Sequence, residues 1–197
     1  MLTSVGTTSE VPWDWSADGK WILVGSDRQP SGRRSICLFP IAAAPHAETQ
    51  MRVVTSDPEQ NLYQARFSPD NRWISFCAAR ALEAGISTVH VIPAAGGEWN
   101  QITEGRYFDD KPRWSPDGRT VYFISNRTGF LNVWGVRFDP ASGQKIGDAF
   151  RVTAFQNPGQ MILPDVGIME MALAADKLIL PMREVSGGIW ILENLTW

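Results

Sequence analysis

Few side chains in this sequence have the types and spacing that chemistry needs. Of the two histidines, His46 lies in an Ala/Pro-rich stretch (AAAPHAE) and His90 in an apolar run (TVHVI). Strand alternation sets the His90 imidazole on the face opposite Val89 and Val91. Neither has a serine or cysteine partner that would make it the base of a nucleophile. No G-x-S-x-G elbow, G-x-x-x-x-G-K loop, C-x-x-C pair, H-x-x-x-H pair or EF-hand loop occurs. One adjacent acidic pair, Asp109-Asp110 before Lys111, could help hold Ca²⁺ together with carbonyls, although such pairs are more often solvated loop carboxylates. Cys37 (SICLF) and Cys77 (ISFCA) sit in apolar runs and read as buried free thiols. The triplets at Asn126 and Asn194 match the glycosylation pattern at chance level. The residues point to no catalytic centre, no cofactor and no metal.

The aspartates recur, and their recurrence is informative. WDWSADGKWILVG (13–25), ARFSPDNRWISFC (65–77) and PRWSPDGRTVYFI (112–124) are copies of one pattern, and MALAADKLILPM (171–182) is a worn fourth. Asp18, Asp70, Asp117 and Asp176 hold the same place in each, 52, 47 and 59 residues apart. Ser-Pro-Asp-Gly is turn chemistry, because Pro presets φ, Asp accepts backbone N–H groups and Gly tolerates positive φ. Repetition itself argues for architecture, since one active site needs different residues in different roles. Trp15, Phe67 and Trp114 precede the turns and are expected to wedge between neighbouring sheets. The residue before each aromatic varies: Asp14, Arg66 and Arg113, with Glu170 near the worn copy. Alternation places these four on the opposite face, towards a central channel. There they either pair across sheets or form a polar rim that reads a partner or small ligand.

The elements that must position these residues are short strands. Nine Trp, nine Phe, 17 Gly and 13 Pro in 197 residues favour strands and tight turns over long helices. Each turn is followed by an alternating apolar strand and then a third strand: 35–41, 87–93, 131–138 and 188–195. A short fourth strand ending in an apolar-Thr step is expected at 52–56, 100–105 and 151–155. Units of about 50 residues with four strands each are the signature of propeller blades. The expected blades cover 11–56, 61–105, 108–155 and 167–197, with residues 1–5 able to complete the last. Residues 156–167 form the longest irregular stretch, which either packs across a face or binds something. Residues 80–85 allow one helical turn at most.

The [WF]-S-P-D-[GN]-R motif, followed by an alternating strand and then S-N-R-x-G, resembles the WD-like β-propeller repeat of the TolB C-terminal domain and related bacterial proteins. Residues 114–129 match best and 171–192 most loosely. The resemblance implies an all-β propeller of four-stranded antiparallel blades. It also implies a non-catalytic scaffold for a protein or peptide partner, as the C-terminal part of a larger bacterial protein. Its relatives leave a second reading: a regulatory or gating propeller beside a serine/threonine kinase or prolyl-oligopeptidase-like hydrolase domain. A lactonase-like propeller enzyme would need several inward carboxylates, for which only Asp14 and Glu170 are candidates. The net charge of −3 gives no argument for nucleic acid. No apolar run reaches the ~18 residues of a membrane span, and the first residues lack signal-peptide character. A periplasmic site is expected only if the chain belongs to a longer exported protein. An incomplete ring would expose strand edges and favour a homodimer.

Overall fold

A computed structural model describes residues 8–41, 51–81, 85–165, 167 and 169–187. The expectations for residues 1–5, His46, the last third strand at 188–195 and Asn194 lie outside the described residues, as do 82–84 of the allowed helical turn. The described chain is all-β.

Three four-stranded antiparallel sheets follow one another, each a simple meander. The first contains β1 (Glu10–Trp15), β2 (Trp21–Ser26), β3 (Ser35–Pro40) and β4 (Arg52–Thr55). The second contains β5 (Asn61–Phe67), β6 (Trp73–Ala79), β7 (Thr88–Pro93) and β8 (Asn100–Gln101). The third contains β9 (Asp109–Trp114), β10 (Thr120–Ser125), β11 (Asn132–Asp139) and β12 (Gln144–Arg151). Then come β13 (Gln160–Ile162), β14 (Ala172–Leu173), β15 (Leu178–Ile179) and β16 (Met182–Glu184), paired as β13–β16 and β14–β15.

The turns explain the repeat. In each of the first three hairpins the serine hydroxyl donates to the aspartate: Ser16 to Asp18 at 2.7 Å, Ser68 to Asp70 at 2.6 Å and Ser115 to Asp117 at 2.5 Å. The same hydroxyl accepts the N–H of the residue that opens the next strand, Trp21, Trp73 or Thr120, at 2.9–3.0 Å. Asp176 sits in a tighter turn closed by Ala174 N–H to the Lys177 carbonyl. Ala174 stands where Ser stands in the other copies, so this aspartate has no hydroxyl beside it.

The core lies between sheets. Leu23, Ile36 and Leu38 of the first sheet meet Phe67, Ile74 and Phe76 of the second. Cys77, Val89 and Val91 on the other face of the second sheet meet Trp114, Val121 and Phe138 of the third. Period-two alternation thus buries both faces of β6, every residue of which is buried. Phe67 and Trp114 are the expected wedges, each against the preceding sheet. Trp15 corrects that expectation: it is 59% exposed. No sheet that could cover Trp15 precedes the first among the described residues.

Two further expectations are corrected. The fourth strand of the third sheet is β12, upstream of 151–155, because Asp139–Gly143 makes a tight turn with Gly143 at φ 75°. The apolar-Thr step pins the strand beside it. Thr103 and Thr153 accept the Val89 and Val133 N–H groups at 3.0 and 2.9 Å. The stretch 156–167 is partly ordered as β13, and its Ile162 is fully buried with Met169 and Met171.

Candidate functional site

The inner strands β1, β5 and β9 share one irregularity. Each carries a bulge just before its charged residue: between Pro12 and Asp14, between Tyr63 and Arg66, and opposite Tyr122–Ile124 in β9. The extra residue re-aims the side chains that follow. Two bulges place non-glycine residues at positive φ, Gln64 at 54° and Lys111 at 55°.

Three of the four varying charged residues follow these bulges, and Glu170 meets two of them. Asp14 accepts the Phe67 N–H at 2.7 Å, across the junction of the first two sheets. Arg66 donates back to the Trp13 carbonyl at 2.6 Å and lies 4.0 Å from Glu170. Arg113 donates to the Met171 carbonyl at 2.8 Å and pairs directly with Glu170. Burial, aided by neighbouring Arg66, pushes the Arg113 guanidinium down to about 10, so it stays charged at neutral pH. Asp14, Arg66, Arg113 and Glu170 therefore form a chain of contacts from sheet to sheet. The turn carboxylates Asp18, Asp70 and Asp117 lie apart from this chain, at the hairpins.

Asp109 and Asp110 are not solvated loop residues. They open β9 and have no exposed surface. Burial pushes both carboxyls up. Asp109 meets Arg127 at 3.2 Å, and Asp110 accepts from the Cys77 thiol at 3.4 Å. Burial also raises the Cys77 thiol, which leaves it a poor nucleophile. Both cysteines are buried and unbridged. No group of three or more His, Cys, Asp or Glu among the described residues is arranged to hold a metal ion.

Sequence reasoning missed a second repeated device. Arg127 sits over the Tyr107, Phe123 and Trp134 rings at 4.8–5.3 Å while paired with Asp109 and Glu104. Its neighbour Asn126 accepts the Phe108 N–H at 3.0 Å. The first sheet repeats this. Arg28 pairs with Glu10 at 2.5 Å, and Asp27 accepts the Ser9 N–H at 2.7 Å. The signal was present as Ser-[Asp/Asn]-Arg after the second strand plus an acid opening the first. The second sheet breaks the pattern: Leu62 stands at the acid position, and Arg80 turns out to Glu59 at the surface.

Stacked four-stranded meanders with charged inner strands define a β-propeller. No protein-family model matches the chain. It is 29% identical over 143 residues to an uncharacterized protein of Agrobacterium fabrum, covering 73% of this chain and 45% of that protein. It superposes on TolB from Acinetobacter baumannii with TM-score 0.59 at 19% identity, over 92% of this chain and 42% of that one. It superposes on a puromycin-hydrolyzing peptidase of Mycobacterium tuberculosis with TM-score 0.68 at 16% identity, over 89% and 28%. The fold is a TolB-like β-propeller, and the chain spans less than half the length of each of these proteins.

Proposed function

We propose that this chain is a non-catalytic propeller module that binds a protein partner. The observation that carries the reading is the use made of Asp14, Arg66, Arg113 and Glu170. Both arginines meet Glu170, and Asp14, Arg66 and Arg113 hold backbone groups of adjoining segments, so the charged groups of the inner strands brace a rigid frame. Rigid blades that present loops suit recognition. The likeness to TolB supports this at the level of fold.

A second reading is a gating or regulatory propeller beside a catalytic domain elsewhere in a longer chain. The likeness to the mycobacterial peptidase, of which this chain covers 28%, favours it. Affinity isolation of the tagged protein from its own cells, then reconstitution from purified components, separates the readings. A stoichiometric complex formed by this chain alone supports the binding module. A complex that needs a hydrolase or kinase domain supports the second reading. Turnover of aryl esters or aminoacyl anilides by the purified chain, in proportion to its concentration, overturns the first.

A further inference from the structure

A site for one partner must differ from the repeat that surrounds it, and one place does. Between the first two sheets, where β1 and β5 begin, lies a cleft of about 320 Å³. Trp13, Tyr63 and Phe108 supply its aromatic lining. Arg34, Gln64, Asp27 and Asn61 supply its polar one, with Asn61 Oδ1 already accepting the Arg34 N–H. Trp13 is replaced by Ala65 and Pro112 in the other copies, and Gln64 by Pro12 and Lys111, so the lining is not part of the repeated architecture.

Three independent features mark the cleft as built. First, Arg34 Nε and Gln64 Oε1 are both buried with no partner among the described residues. One is a donor and the other an acceptor, and leaving either unmet is costly. Second, Gln64 is held at φ 54°, a conformation its side chain disfavours. Third, a Cβ at position 25 would strike both the Trp13 ring and Arg34 Cδ, so the bare Gly25 seats both residues in place.

The chemistry of the occupant follows. The charged side chains in the lining are Arg34 and Asp27, one of each sign, so neither an anion nor a cation is favoured. Asp27 already accepts the Ser9 N–H. A neutral group with one acceptor and one donor, next to an apolar side chain, fits the lining. A peptide unit has that pattern. With a net charge of −3 and a single guanidinium in the cleft, phosphate contacts lack support.

We propose that this cleft binds an extended, uncharged peptide segment of a partner protein. Arg34 Nε donates to a peptide carbonyl, Gln64 Oε1 accepts a peptide N–H, and the three rings hold the adjoining apolar side chain. The proposal rests on the reading of the chain as a protein-binding module and names the place and chemistry of contact.

The test titrates the whole chain with blocked peptides, N-acetyl-Leu-Phe-amide and N-acetyl-Asp-Lys-amide, and with uridine. The readout is the Trp13 indole N–H signal by NMR, assigned with Trp13→Phe. The apolar peptide should shift that signal in a saturable way, and the charged peptide should not. Gln64→Gly relieves the positive φ, so the variant keeps its melting temperature while peptide affinity falls about fivefold or more, the weight of one hydrogen bond. Arg34→Lys should do the same. No saturable shift, or equal affinity in Gln64→Gly, overturns the proposal. Binding of uridine in place of the peptide overturns it in favour of a nucleobase site. If a reconstituted complex forms while the blocked peptides fail, the cleft proposal falls and the binding module stands. If the peptide is cleaved, the non-catalytic reading falls.

Discussion

Ser115 is a small residue with a large structural share. Its hydroxyl donates to Asp117 and accepts the Thr120 N–H, and the residue is 7% exposed. Ser115→Ala leaves a buried N–H unpaired and should lower stability by ~1–3 kcal/mol, read as a urea midpoint shift at unchanged slope. This chemistry was legible because it acts within a few residues. The Ser16 hydroxyl bond and the Lys20 N–H hold the Asp18 carboxyl below the usual range, and the Ser115 bond and Arg119 N–H do so for Asp117. For Asp70 burial works the other way and is outweighed. These carboxylates add stability that is present above their unfolded pKa and lost as pH falls through the lower folded value. His90 acts earlier on the pH axis. Stacked on Phe76 and tilted against Trp99, it is lowered by burial to about 4 from the ordinary 6.5. The unfolded chain takes up that proton first, so stability should fall by about 3 kcal/mol as pH drops from 6.5 to 4. Buried Asp109 and Asp110 have raised pKa values and act in the opposite sense as they protonate. His90→Phe should therefore flatten the His limb and leave theirs, as chemical denaturation across pH would show.

At the scale of elements, neighbouring turns are matched in pairs. The Ala17 N–H donates to Asn71 Oδ1 at 2.8 Å, from one hairpin turn to the next. At the following junction Pro69 lies against Gly118, 3.6 Å from where its Cβ would be. Ala/Asn and Pro/Gly are alternative solutions of one contact. Proline has no N–H to give, and glycine has no side chain to accept. Ala17→Pro alone strands the Asn71 amide and should cost ~1 kcal/mol. Adding Asn71→Gly relieves that residue's φ of 59° and rebuilds the other pairing, so the double variant should be more stable than the single costs imply. A double-mutant cycle by urea unfolding measures the coupling. The strands of these hairpins could be read from alternation, but the partner of Asn71 could not, because it lies 54 residues away. The acid–arginine pairs were hidden for the same reason. Glu10 and Arg28 become partners only once β1 and β2 are in register.

For the whole molecule, what matters is which sheet faces are covered. Trp114 is 8% exposed between the second and third sheets, with its indole N–H on the Arg66 carbonyl at 3.2 Å. Trp15 holds the same place in the repeat with its flank uncovered. Trp114→Ala should cost ~3–5 kcal/mol, whereas Trp15→Gln should change stability by less than ~1 kcal/mol. Identical motif residues thus have unequal fates that no local pattern reveals, because the fate depends on the neighbouring sheet.

The second sheet lacks the acid–arginine clamp that ties the strand ends of the first and third, with Leu62 in the acid's place and Arg80 at the surface. Local opening is governed by such contacts rather than by global stability. Amide protons where β5 begins should exchange with solvent faster than their counterparts in β1 and β9. That same strand end carries Asn61, Tyr63 and Gln64 into the cleft. This strand end is tied to the first sheet by the Leu62 N–H on the Arg34 carbonyl and by Asn61 on the Arg34 N–H, without an acid–arginine clamp of its own, so occupancy of the cleft it lines should slow its exchange.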